Sequence, residues 1–159
     1  MRHARTRRHA LALTLAPAGA LAFLAAAYAP TAPHRVRVVA RDYAFEAADT
    51  VPGGDVSFEL ENRGAHFHEL IVGHLRPGAT GQDIVAAHQR GVTLRQLQEA
   101  YLADAAGGAL LAQAGTRSPA RLVMTLARGQ AYVLLCQLRD TGTAPQHAVL
   151  GMFHLVHVR

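Results

Sequence analysis

Valine alternates with arginine between His34 and Ala40, and Tyr43-Ala44-Phe45 continues the two-residue beat. That period sends successive side chains to opposite faces, so the stretch reads as a half-buried strand. The beat returns where Val56, Phe58 and Leu60 alternate with Ser57, Glu59 and Glu61, a strand with one wet face. Between the two, Thr50-Val51-Pro52-Gly53-Gly54-Asp55 is a dense turn signal. Asn62-Arg63-Gly64 turns the chain again, and an apolar strand from His68 to Leu75 follows. Leu122 to Ala127, Ala131 to Cys136 and Met152 to Val158 read as strands too, with Arg128-Gly129-Gln130 as a turn. About seven strands separated by turns predict an all-β, antiparallel sandwich.

The period changes in the middle of the chain. Thr80 to Arg90 and Thr93 to Ala103 read as two short helices. Thr80 with Asp83, and Thr93 with Gln96, stand at capping-box spacing, where each side chain satisfies the other's free backbone N–H. Leu94, Leu97, Tyr101 and Leu102 form one apolar stripe, expected to dock on the sandwich rather than to face a partner. Residues 76–118 are therefore expected to be a helical insertion between strands.

Composition changes the picture at the N-terminus. Arg2, Arg5, Arg7 and Arg8 precede an uncharged, Ala/Leu-dominated run from Ala10 to Ala29, and Ala25-x-Ala27 fits the small-residue cleavage rule. Residues 1–29 are expected to be a signal peptide for export to a periplasmic or extracellular compartment. Thr6-Arg7-Arg8 hints at twin-arginine export. The alternative is an uncleaved anchor giving membrane attachment, since the run is near the ~20 residues a span needs, although Pro17 and Gly19 interrupt it. No cysteine follows the run, which excludes a lipoprotein anchor. The domain proper is expected over 34–159.

The leader also explains the charge. The 159-residue chain has a formal net charge of +5, yet four of its 16 basic residues and none of its 11 acidic ones lie before Ala10. The remainder is close to neutral, and nothing supports nucleic-acid binding, which needs a clustered basic face. Half of the residues are hydrophobic and tryptophan is absent, so small aliphatic side chains must fill the core.

Candidate chemistry gathers near the C-terminus, in Cys136-x10-His147-x4-Met152. Cys136 is the only cysteine, so it has no intramolecular disulfide partner. Thiolate, imidazole and thioether are donors that copper prefers; zinc accepts the first two but has little use for a thioether. A mononuclear site needs one more nitrogen, from a distant strand that a core holds rigid. His68, opening the strand after Asn62-Arg63-Gly64, is the best candidate. His66 lies on the same face if the strand extends that far back. His74, His88, His154 and His157 have weaker claims. No serine-hydrolase or Cys/His nucleophile arrangement stands out, and an enzyme is not expected.

These residues resemble the cupredoxin family, the small blue-copper β-sandwiches of plastocyanin and azurin type. The likeness rests on Gly54-Asp55-Val56-x-Phe58 and Asn62-x-Gly64-x3-His68-Glu69. At the other end it rests on Gly129-x2-Tyr132-x3-Cys136, His147-x4-Met152 and Gly151-Met152. It covers roughly residues 35–75 and 119–159. The resemblance implies a Greek-key sandwich with one copper ion. It implies His68 and His147 as nitrogen ligands, Cys136 as the short thiolate ligand and Met152 as the weak axial one. The chain departs from the pattern in its longer Cys136–His147 loop, in Glu69 where asparagine is frequent, and in Gln137 where serine or threonine is frequent. The function implied is one-electron transfer between redox protein partners, with His147, nearest the loop surface, as the electron exit. The alternatives are copper delivery, storage or resistance with trafficking partners, or a metal-free interaction module. A multicopper oxidase is not expected, because one short domain lacks the repeated His-x-His sets of a trinuclear cluster.

Overall fold

Burial parity along two central strands decides where everything else sits. The computed structural model describes residues 31–104 and 108–159, with Ala32–Arg159 as one compact unit. The expected leader, 1–29, lies outside the described residues. Among the described residues there are nine strands: β1 His34–Arg41, β2 Ala44–Glu46, β3 Thr50–Val51, β4 Gly54–Asn62, β5 His68–His74, β6 Ala109–Ala112, β7 Leu122–Leu126, β8 Ala131–Leu135 and β9 Phe153–Val158. Two helices, α1 Gly81–Gln89 and α2 Leu94–Tyr101, lie between β5 and β6. Among the described residues no helix is long and apolar enough to cross a membrane.

One sheet runs β2-β1-β4-β7 and the other β3-β9-β8-β5-β6. The expected antiparallel pairing holds for β1/β2, β4/β7, β5/β6, β5/β8 and β8/β9. Two pairs are parallel, β1 with β4 and β3 with β9, so both sheets are mixed. The cause is connectivity. After β2 the chain crosses to the other sheet as β3 and returns as β4 beside β1, running the same way.

In β5, His68, Leu70 and Val72 are buried on one face, and Ile71 is buried on the other. In β8, Tyr132 and Leu134 share the first face, which Cys136 continues, while Val133 and Leu135 share the second. The first face meets Val36, Val38, Val56, Phe58 and Leu60 of the opposite sheet to make the sandwich core. The second face is covered by Ile84 and Ala87 of α1, Leu97 of α2, and Leu102. The expected docking of the helical stripe on the sandwich is thus observed through Leu97 and Leu102. Both expected capping boxes are formed, by Thr80 with Asp83 and Thr93 with Gln96. Gly73 is what lets the helices approach: a Cβ there would lie 2.9 Å from Leu102 Cδ1.

Two strands depart from the sequence reading. Thr50–Val51, expected as a turn, pairs with the end of β9. Ala109–Ala112, inside the expected 76–118 insertion, is an edge strand on β5.

Two measurements test this architecture. Phe58 is fully buried, so Phe58→Ala is expected to cost about 3–5 kcal/mol in urea unfolding; a loss within about 0.5 kcal/mol, the scale of surface changes, contradicts the core assignment. On the outer face of β4, Glu61 pairs with Arg37, with Arg63 at 2.7 Å and with Arg117 at 3.2 Å. Hydrogen bonds from Arg63, then Arg37, hold its carboxyl down at about 2. A carboxyl depressed by folding stabilises above its unfolded pKa and loses that contribution as pH falls through the folded value. Glu61→Gln is therefore expected to lower the urea midpoint at pH 7. The gap should close between about pH 4.3, the ordinary glutamate value, and about pH 2.

Candidate metal centre

The face-to-face parity of β5 and β8 puts His68 and Cys136 on the core side of the same sheet. His68 opens β5 because Asn62 fixes the approach. The buried Asn62 amide donates to His66 O at 2.7 Å and to Ala112 O at 2.9 Å, and its Oδ1 accepts from Gly64 N at 2.9 Å. Cys136 follows directly on β8. Its N–H donates to Met152 O at 3.2 Å, and its carbonyl accepts from Ala148 N at 2.8 Å. The loop between them is folded back on itself: His147 N donates to Leu138 O at 2.8 Å, and Met152 N to His147 O at 2.9 Å. These bonds bring His147 over Cys136.

His68, Cys136 and His147 each offer a ligand atom, and the three atoms lie within 4.8 Å of one another. The two Nδ1 atoms are 3.2 Å apart, and Cys136 Sγ is 3.4 Å from His147 Nδ1. All three residues are sealed from solvent, at 0%, 0% and 1% exposure. Met152 is also fully buried and shares the sandwich core with Cys136. Its backbone is bonded to both Cys136 and His147.

The outer ring nitrogens meet carboxylates. His68 Nε2 is 3.1 Å from Asp42 Oδ1, and His147 Nε2 is 3.0 Å from Asp140 Oδ1. Asp42 is held down in pKa chiefly by the Ala65 N–H, with His68 adding to it. Asp140 is held down chiefly by the Tyr43 hydroxyl, 2.5 Å away, with His147 adding to it. An ionised carboxylate only accepts, so each Nε2 carries a hydrogen. Burial lowers the His68 pKa against the opposing pull of Asp42. Burial also pushes the Cys136 thiol up to about 11, against N–H donors from Glu69 and Leu138. Two inward lone-pair nitrogens and a thiol in a dry pocket form a donor set that a soft or borderline cation satisfies.

Glu69 ties the two strands across the site. Its Oε1 accepts from Gln137 N at 2.9 Å, and its own N–H points at Cys136 Sγ at 3.5 Å. Glu69 thus braces the residues after His68 and after Cys136, and burial raises its pKa.

Two site expectations change. His66 is not on the strand: β5 begins at His68, and His66 lies in the preceding loop with its side chain 42% exposed and Nδ1 2.9 Å from Asp140. His147 is not at the surface; Tyr43 packs edge-on against it at 5.1 Å and Asp140 caps it. The Cys136–His147 loop, polar in sequence, carries in Asp140 a residue that binds the site together. His74 stacks on Tyr132, His88 bonds Ile84 O, and His154 faces Asp49, all away from the centre. Asp42, Tyr43 and Asp140 join the site without having been expected from the sequence. Asp42 gave no sequence signal; Asp140 gave one, an acidic residue inside the ligand loop.

No family model matches the chain, and no curated protein matches it in sequence. In structure it is similar to reduced auracyanin from the photosynthetic bacterium Roseiflexus castenholzii, at a TM-score of 0.50 and 18% identity over 81% of this chain and 99% of that one. It is similar also to auracyanin A, a "blue" copper protein from Chloroflexus aurantiacus, at a TM-score of 0.49 and 15% identity over 80% and 100%. Rusticyanin from Thiobacillus ferrooxidans is matched at a TM-score of 0.46 and 18% identity over 80% and 79%. At 18% identity the likeness to the Roseiflexus auracyanin shows the fold alone, and the fold is the cupredoxin one.

Removal of the Glu69 carboxylate tests the brace. Glu69→Ala leaves the Gln137 N–H without its partner, a loss expected to cost about 1–3 kcal/mol in urea unfolding, with faster hydrogen exchange at the Gln137 amide. Unchanged exchange at that amide contradicts the assignment.

Proposed function

We propose that the chain is a one-electron carrier with a mononuclear type 1-like copper site. The observation that carries this reading is the convergence of His68 Nδ1, His147 Nδ1 and Cys136 Sγ in a pocket closed to water. Copper, when bound, supplies a Cu(II)/Cu(I) couple, and a two-imidazole, one-thiolate set with a weak thioether serves both states. His68 and Cys136 sit on paired β-strands and His147 on a loop laced to β8, so the donors keep their places when the charge of the ion changes. Met152, buried in the same core and bonded through its backbone to Cys136 and His147, would offer the weak thioether. Tyr43, Asp140 and the loop exclude water. No substrate is turned over in this reading, and the partners are redox proteins. The leader pattern of 1–29 supports work outside the cytoplasm.

Copper trafficking is the second reading. The half-exposed His66 beside the buried site favours it, as a donor that an incoming or departing ion reaches first.

Titration of the protein with Cu(II) separates the two. Electron transfer predicts an intense blue or green thiolate-to-copper band at one ion per chain, lost in Cys136→Ser. Trafficking predicts tight, colourless Cu(I) binding and no such band. An unchanged spectrum and affinity in Cys136→Ser contradict both.

A further inference from the structure

Both imidazoles at the centre lean on a carboxylate, and each carboxylate is anchored by groups other than its imidazole. Asp42 accepts from Ala65 N at 2.9 Å and from His66 N at 3.2 Å before it meets His68. Asp140 is fixed by Tyr43 Oη at 2.5 Å and His66 Nδ1 at 2.9 Å before it meets His147. Asp42 belongs to the turn between β1 and β2, and Asp140 to the loop between β8 and β9. They approach the two rings from different parts of the chain. The carboxylates are therefore placed by the fold, and the rings follow them. Without this placement each buried ring could carry its hydrogen on Nδ1, pointing at the thiol, and would present no lone pair inward.

We propose that Asp42 and Asp140 are the positioning residues of this centre, which hold both rings in the Nε2–H tautomer and whose two negative charges bias a bound copper toward the oxidised ion. The inference rests on the copper reading above for its second half only. A carboxylate hydrogen-bonded to the far nitrogen makes the near nitrogen a stronger donor, and loss of such a partner typically changes metal affinity by 10–100-fold. The fixed negative charge attracts Cu(II) more than Cu(I), because the two ions differ by one unit. Each aspartate thus weights the couple toward Cu(II) and lowers the reduction potential. His66 and Tyr43 contribute by holding Asp140 in place.

Asparagine keeps an acceptor and removes the charge; alanine removes both. Two kinds of measurement follow. In the metal-free protein, side-chain 15N shifts report the tautomer of each ring. We expect His68 and His147 to be Nε2–H in the wild type, His147 to lose that single tautomer in Asp140→Ala, and His68 to lose it in Asp42→Ala. In the copper-loaded protein, Asp140→Asn and Asp42→Asn are each expected to keep the coloured band and to shift the Cu(II)/Cu(I) preference about tenfold toward Cu(I). That is a rise of about 59 mV in potential for one electron. An Nδ1–H ring at either position in the wild type overturns the proposal, and so do potentials that stay at the wild-type value in both asparagine variants. A wild-type protein with Nε2–H rings but no coloured copper complex defeats the electron-transfer reading and leaves the positioning of the rings supported.

Discussion

Two imidazole nitrogens and a thiol sulfur are held within 4.8 Å of one another where water does not reach them. Buried polar atoms of this kind are costly unless each has a partner. Here the outward nitrogens have theirs in Asp42 and Asp140, whereas inward only the Cys136 thiol has a hydrogen to give and the two Nδ1 lone pairs face each other at 3.2 Å. The rest of the structure keeps this arrangement from relaxing. The β5/β8 pairing fixes His68 and Cys136 on one face, and the sandwich core behind them is filled by Phe58, Leu60, Leu70 and Leu134. The loop carrying His147 is laced to Cys136 and Met152 by backbone hydrogen bonds. Close packing of this sort leaves the donors few ways to separate.

The second layer gives the centre its individual character. Three residues outside the donor set, Tyr43, His66 and Asp140, enclose His147 and bury its outer edge. Glu69 spans the site through the Gln137 N–H. Burial is the main reason the Cys136 thiol stays protonated until a cation displaces the proton; the Glu69 N–H works against burial, and the Glu69 carboxylate gives a smaller push with it.

Much of this was legible in the sequence, because strands write their two faces into a two-residue period. The alternation in 34–40 and 56–60 located β1 and β4, and the capping residues Thr80 and Thr93 located both helices. Cys136, His147 and Met152 were legible from their donor chemistry, and His68 from its place at the head of an apolar strand. What the sequence did not carry was long-range hydrogen bonding. The two-residue β3 exists because β9 supplies its partners, and β6 because β5 offers a free edge. The parallel β1/β4 pair follows from a crossover between sheets that no local pattern encodes. His66 left the strand because Asn62 captures the backbone of the loop before it. Asp42 sits 26 residues from its imidazole, a separation over which periodicity is silent.

X-ray absorption at the copper edge of the protein loaded with one equivalent of the metal tests the central claim most directly. The account predicts one short sulfur bond and two imidazole nitrogens around the ion. A coordination shell of nitrogen and oxygen alone, with no sulfur, contradicts it, because the metal would then occupy surface histidines and leave the buried donors untouched.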